Sequence, residues 1–563
     1  VNYELRYLGK SGVDQGPYRS TLRFSPNLAR ERVWLDGELR DPLRFREAIS
    51  ALHAVVIGDL KFKKRDKSAY EAWKKAQLEE EERVRRDVRA KEQVRLAAEI
   101  ASSPPSKDLE SQFRTMHRIY WDARVKWANE LAKNDPQLFR SLVPCDPIVT
   151  VADDVVFFEC FSKDESSYGA LYLDREQLDG AHQAAPGTTN VDYSLPLFDH
   201  FQGLRTYRAT RLKVDPEGFE VRVEGRADYR EEKIDLPPSW LRGFGQISAA
   251  TGLPMRRVSL DVASVYSVLA HLKRHREKEG PRAIRFELVR GKPARLVLEP
   301  WNVAIEDRGA AYEGEKDETI KVWGRRRLFA LARLLPIAER VDVHLLGNGL
   351  PSIWIVTMPG MRFVLALSGW TESDWSGGTN LDLITGTFTA DAATLERVGS
   401  TLRVRRTGTP ASLASETGDA QKSVAAALHR LSKQGQAVYD FAAGAYRFRD
   451  VVEAREAEKV IGPEPEELTA ARKLFVEHRV KMEREEALPG GKRLLVARIS
   501  GESPETILDR DGVFSRARCT CTHHRRFGLR NGACRHLLAL RLTVIGSADV
   551  RLAAGSIGGS FFG

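Results

Sequence analysis

The chain turns on Cys519-Thr520-Cys521, separated by twelve residues from Cys534-Arg535-His536. Three of the five cysteines lie in this one stretch. Two pairs of soft ligands, each pair split by one residue, supply the four donors of a tetrahedral Zn2+ site. A site whose four positions are all protein is structural rather than catalytic. Lys492 to Ser500 and Val513 to Arg518 read as strands whose hairpin delivers the first two ligands. Leu537 to Leu542 reads as a helix opened by Cys534 and His536. His523 and His524 stand in the intervening loop, and either could take the place of His536. Cysteine is also among the most buried residue types, but burial alone explains neither the pairing nor the polar neighbours.

This strand, strand, ligand, helix order with C-x-C…C-x-H spacing resembles the SWIM zinc finger, a family linked to DNA binding and to protein contacts. The resemblance implies a C-terminal ββα finger with Cys519, Cys521, Cys534 and His536 on Zn2+. The wider domain order resembles bacterial SWIM zinc finger family proteins, often encoded beside a MoxR-type AAA ATPase and a von Willebrand factor A protein. That resemblance implies an adaptor or recognition subunit of such an ATPase system. Composition and spacing do not speak to it.

Arginines crowd the motif: Arg516, Arg518, Arg525, Arg526, Arg530, Arg535 and Arg541. Residues 487–563 hold 12 Lys or Arg against 5 Asp or Glu, so most of the whole-chain net charge of +10 sits here. Zn2+ with three thiolates carries a net −1, which one or two arginines would offset. The surplus is the footprint of a phosphate-backbone binder, nucleic acid being the first partner expected and an acidic protein the alternative. The N-terminus of the following helix is a ready anion site.

At 563 residues, 42% hydrophobic and 29% charged, the chain has material for several cored domains. No window approaches the ~20 apolar residues of a membrane span. The first residues carry no basic-then-apolar signal pattern, and cysteine is sparse and clustered. A cytoplasmic, reducing location is therefore expected, with metal rather than disulfides.

In chain order, residues 1–60 read as an N-terminal α/β module: strands near Asn2–Tyr7, Ser20–Phe24 and Arg32–Leu35, a turn at Asp36-Gly37, and a helix from Phe45 to Ile57. Residues 61–145 carry a long charged helical hairpin. Asp59 to Ser103 has no Gly or Pro, and residues 61–100 hold 13 basic and 9 acidic side chains. Residues 146–240 form a β-rich domain, with Gly187–Asp192 as loop. Residues 241–385 show an α+β unit with an internal repeat: a helix at Val258–Lys273 and another at Arg325–Leu335, each followed by three strands. Gly347-Asn348-Gly349 lies between two strands and reads as a hairpin turn, not a dinucleotide loop.

Residues 386–452 order three helices and a hairpin, resembling a winged helix. Its third helix would present Lys422, His429, Arg430 and Lys433 to a groove, with Arg447 and Arg449 on the wing, although winged helices also serve as plain protein-docking modules. Residues 453–490 are a linker containing a helix from Glu466 to Glu485, hinged at Pro489-Gly-Gly491 to the zinc module of 491–563. The expected architecture is thus α+β multidomain: helical arm, β-rich middle, repeated helix-plus-three-strands unit, winged-helix-like domain and C-terminal zinc finger. No Walker A, H-E-x-x-H or G-x-S-x-G motif is present, and the chain is expected to be non-enzymatic.

Overall fold

A computed structural model describes residues 33–58, 147–181, 184–190, 201–207, 209–214, 238–277, 282–369, 373–376, 381–385, 390–451, 466–489, 492–508 and 513–545. It also describes strands 12–15 and 19–24 and the single residues Arg95, Thr115, Met116 and Ile119. The helical arm expected over 61–145 otherwise lies outside the described residues, as does the strand expected at Asn2–Tyr7. Residues 1–58, 144–221 and 233–563 form one compact unit, and 59–143 with 222–232 a second.

The first unit begins with β1 (Gly12–Gln15), β2 (Arg19–Phe24), β3 (Leu35–Leu39) and α1 (Pro42–Val56). The Asp41 side chain accepts the Arg44 amide at 2.9 Å and Pro42 starts the helix, so α1 opens earlier than its apolar spacing predicts. Asp36-Gly37 is not a turn but the middle of β3. A Cβ on Gly37 would stand 2.8 Å from the Ala181 Cβ, so glycine here permits close packing rather than reversal.

Next come β4 (Ile148–Val151), β5 (Val155–Phe161), β6 (Ser167–Asp174), β7 (Leu178–Asp179), β8 (Gly187–Asn190) and β9 (Ala209–Val214). The stretch expected as loop at Gly187–Asp192 therefore begins as β8, an edge strand paired with β4. The Thr150 and Thr188 hydroxyls meet across that pair at 3.1 Å, which is why so polar a segment joins the sheet.

Then follow α2 (Pro238–Ala250), β10 (Arg256–Leu260), α3 (Val262–Arg274), β11 (Ile284–Leu288), β12 (Arg295–Leu298), β13 (Val303–Glu306), β14 (Glu318–Val322), β15 (Arg340–Leu345), β16 (Ser352–Met358), β17 (Met361–Leu367) and α4 (Leu381–Thr385). The helix expected from Val258 is a strand up to Leu260, because Val258 and Leu260 alternate inward. The helix expected at Arg325–Leu335 is two short 3-10 turns, 325–331 and 335–337. The two halves of the proposed repeat also join different sheets. β13-β12-β11-β14 stand together, whereas β15, β16 and β17 belong to an eight-stranded sheet ordered β10-β15-β16-β17-β6-β5-β4-β8. Pairing of β6 with β17 fuses the segments 146–240 and 241–385 into one layer. Trp375 is fully buried and donates to the Ala366 carbonyl at 3.2 Å, so it belongs to the core.

The chain continues through α5 (Ala392–Arg405), β18 (Thr407–Gly408), α6 (Pro410–Thr417), α7 (Gln421–Lys433), β19 (Ala437–Asp440) and β20 (Ala445–Phe448). These enclose a small core of their own around Val398, Leu402, Leu413, Val424, Leu428 and Leu431. Last come α8 (Glu466–Val476), β21 (Val480–Leu488), β22 (Lys492–Ile499), β23 (Glu505–Leu508), β24 (Phe514–Arg518), α9 (Thr522–Phe527) and α10 (Arg535–Ile545).

The helix expected to run to Glu485 stops at Val476. The chain reverses at His478 (φ 54) and returns as β21, paired with β22 and held by Arg498–Glu483 and Arg493–Glu485. Pro489 thus belongs to a hairpin connection, not to a hinge between modules. β23 lies between β22 and β24, so the ligand-bearing strand is one edge of a four-stranded sheet. One apolar core, from Val33 to Leu540, runs through the eight-stranded sheet and the inner face of this last one.

Candidate metal centre

β24 ends at Arg518, and Cys519 follows at once. The intervening Thr520 accepts the Ser503 amide at 2.9 Å and donates to Glu502, so the knuckle is pinned to the β22–β23 turn. The Cys521 sulfur caps α9, accepting the His524 amide at 3.4 Å. Cys534 is fully buried immediately before α10, and His536 sits in that helix's first turn with Nδ1 3.8 Å from the Cys519 sulfur.

One ligand atom from each of Cys519, Cys521, Cys534 and His536 lies within 4.8 Å of all the others. A zinc tetrahedron with bonds of about 2.0–2.3 Å places its corners about 3.3–3.8 Å apart. Three sulfurs and one nitrogen at this spacing fit a closed zinc site after a small contraction. His523 and His524 lie in α9 and are not part of the group. Cys160 stands apart, fully buried in β5.

The three thiols stand close together in a buried site. A hydrogen bond from Cys534 pulls Cys519 down to about 4. Cys534 is pushed up by the same bond and by burial, although the Leu537 amide at the helix start opposes this. Burial raises Cys521 too, against the His524 amide. While no cation is bound, burial and the neighbouring sulfurs both oppose ionisation of Cys521 and Cys534. A divalent ion reverses this, since zinc binds thiolates and drives off their protons.

The helix that follows Cys534 and carries His536 is fixed, with the loop before it, from three sides. Glu467 of α8 accepts the Arg535 amide at 2.6 Å and the Arg535 guanidinium, with Nε at 3.1 Å. Arg541 is buried, donates to the Leu383 carbonyl at 3.2 Å and stacks over Phe514. Arg530 lies across Gly349 in the β15–β16 turn, where a Cβ would meet its Cδ at 2.8 Å. The Gly-Asn-Gly stretch is therefore a turn that seats the ligand loop.

No protein-family model matches the chain, and no curated protein matches it. Similar solved structures include Proliferating Cellular Nuclear Antigen from Entamoeba histolytica, at 11% identity over 40% of this chain and 89% of that one, TM-score 0.27. The PCNA2–PCNA3 complex from Sulfolobus tokodaii matches at 8% identity over 40% and 90%, TM-score 0.25. A. fulgidus PCNA bound to the C-terminal region of FEN-1 matches at 10% identity over 41% and 92%, TM-score 0.24. A likeness at this level assigns neither fold nor function.

The predicted nucleic-acid residues divide sharply. Arg516, Arg518, Arg525 and Arg526 are exposed and have no carboxylate partner among the described residues. Arg526 stacks over Phe527 at 5.0 Å. Arg530 instead folds back onto the Phe527 and Arg526 carbonyls, and Arg535 is held by Glu467. That carboxylate also occupies the α10 N-terminus expected as an open anion site. Half-burial alone would raise Glu467, but the Arg535 hydrogen bonds outweigh it and hold it below its ordinary value.

The expected groove-reading helix is also not free. α7 packs on α5 and α6 with one face and on α2 with another. Lys433 is bonded to buried Asp382 at 2.8 Å, and its stem crosses Gly245 of α2, so it is withdrawn from any partner. Lys422 and Arg430 remain exposed. On the wing, Arg447 is buried between Asp440 (2.7 Å) and Asp154 (2.8 Å), and Arg449 is fully buried on Glu159. The wing is therefore docked on the eight-stranded sheet rather than presented outward. Sequence spacing carries no signal for Glu467, Asp382, Asp154 or Glu159, the acids that decide these fates.

His429, also expected to face a groove, is instead buried beside the Lys433–Asp382 pair. Both ring nitrogens are buried and make no hydrogen bond. Burial first, then Lys433, push it down to about 4 from 6.5. Its stabilising share is therefore complete above pH 6.5 and is lost as pH falls towards about 4, because the unfolded chain takes the proton first. Urea melts should show stability dropping by up to about 1.4 kcal/mol per pH unit in that window. His429→Phe should flatten the drop. An equal slope in both proteins would contradict a buried neutral imidazole.

Proposed function

We propose that this chain is a zinc-stabilised, non-enzymatic recognition subunit. Its C-terminal module, a SWIM-type finger on this reading, grips the phosphate backbone of nucleic acid. One observation carries the proposal. Arg516 and Arg518 lead into the first zinc ligand pair, Arg525 and Arg526 follow it, and among the described residues none of the four is in an ion pair while neighbouring arginines are. Unneutralised arginines on a rigid knuckle are suited to phosphate oxygens. The winged-helix-like unit then serves as an internal docking domain. A MoxR-type ATPase and a von Willebrand factor A protein are proposed partners by resemblance alone.

A second reading, an adaptor for an acidic protein, has its own support. The cross-strand register puts half-exposed Ile507, Leu494 and Val496 on the same sheet face as Arg516 and Arg518. Salt separates the two. Binding of the full chain to fluorescent single- and double-stranded DNA should weaken log-linearly with salt, with a slope of about 3–4 on duplex if all four arginines meet phosphates. Arg516→Ala with Arg518→Ala should lower that slope by about two. Absence of binding at about 50 mM salt, or an unchanged slope in the variant, would overturn the nucleic-acid reading.

A further inference from the structure

We infer that Glu467, 68 residues upstream of Arg535, is a positioning residue for the zinc site: it sets the start of α10 and so the placing of Cys534 and His536. This rests on the zinc reading above and adds a residue that no motif contains.

A helix's first amides have no acceptor within the helix and must find one elsewhere. At α10 two are directed to different ends. The Leu537 amide faces the Cys534 sulfur. The Arg535 amide goes to Glu467 Oε2 at 2.6 Å. Arg535 stands between two ligands, so a grip on its main chain restrains the ligands on both sides. The same carboxylate holds the Arg535 side chain through Nε and Nη2, which fixes the rotation of the turn as well as its position.

Glu467 is itself held. Leu468 and Ala471 on α8 are buried, and α8 packs along α10. A lone carboxylate beside a zinc–thiolate group of net −1 would be repelled. Here Arg535 neutralises it, so the pair positions the helix without adding charge. Outer partners of this kind are worth about 10–100-fold in metal affinity.

The test uses the full chain, with zinc affinity read by chelator competition and ligand geometry by the absorption bands of the cobalt-substituted protein. Glu467→Ala should weaken zinc about 10–100-fold and shift or broaden the cobalt bands even at saturation. Glu467→Gln keeps an oxygen for the Arg535 amide and should retain most of the affinity and the wild-type bands. Glu477→Ala, on the exposed side of the same segment, should behave as wild type. Wild-type affinity and bands in Glu467→Ala would overturn the inference, as would a Gln variant as impaired as the Ala one. A wild-type chain that binds neither zinc nor cobalt would instead sink the zinc reading itself.

Discussion

Cys534→Ser is expected to empty the zinc site and loosen the segment between β23 and α10. Cys534 is fully buried, and its sulfur lies among the other three donors. A hydroxyl there is a poor zinc ligand, and the remaining set of two sulfurs and a nitrogen leaves one corner to water. Structural zinc contributes about 10–16 kcal/mol in isolated zinc-finger peptides. That figure is an upper bound here, because Leu537, Leu538 and Leu540 of α10 stay in the common core. Arg541 also continues to anchor the helix on the Leu383 and Ile384 carbonyls. Zinc content should fall from about one per chain to under about a tenth, and proteolysis should open between residues 500 and 534. Chelation of the wild type should reproduce the cleavage pattern. A variant that stays zinc-loaded and protease-resistant would remove Cys534 from the ligand set.

Arg449→Met should cost about 3–5 kcal/mol of stability, because it strands a buried carboxylate. Glu159 and Arg449 both have side chains with no solvent exposure, and Tyr168 donates to the other Glu159 oxygen at 2.9 Å. Burial already raises Glu159 above its ordinary value, and Arg449 is the first group that opposes this. Without the guanidinium Glu159 must stay protonated in the fold. A raised folded value supplies stability below the unfolded value and loses it as pH rises, so the variant's deficit should widen from about pH 5 to pH 8. Adding Glu159→Gln should recover most of the loss, since replacing both members of a buried pair is often near neutral. Denaturant melts of the two variants measure this directly. A deficit under about 1 kcal/mol in Arg449→Met would mean that the wing does not depend on the pair to dock.

The wing shows why the C-terminal half was only half legible. α7 spans Gln421–Lys433, as its apolar spacing predicts, and Gly435 follows it (φ 73). Nothing in that spacing reveals that Lys433 meets an acid 51 positions earlier, or that Arg447 and Arg449 meet acids 293 and 290 positions earlier. Exposure was the natural assumption for each, and in each case a distant carboxylate supplied a partner. The run from Glu466 failed for a related reason. Its charges suit a helix face as well as they suit Val480–Leu488, and cross-strand pairing with β22 decided for the strand.

By itself, the sequence determined what depends on neighbours a few residues apart: the Cys519, Cys521, Cys534 cluster with a nearby histidine, the strands β4, β5 and β6, the helix-and-hairpin order after residue 390, and a basic C-terminal module. Donor spacing, period-two and period-3.6 burial and glycine stops are local, and so is the chemistry that reads them. Only the tertiary structure decided that β6 and β17 share a sheet, that β21 joins the sheet leading into the cysteine cluster, and which arginines of that module are in ion pairs. These outcomes turn on which strand edge and which carboxylate arrive from far along the chain. A buried guanidinium must take the acid that the fold brings to it, whatever the separation in sequence.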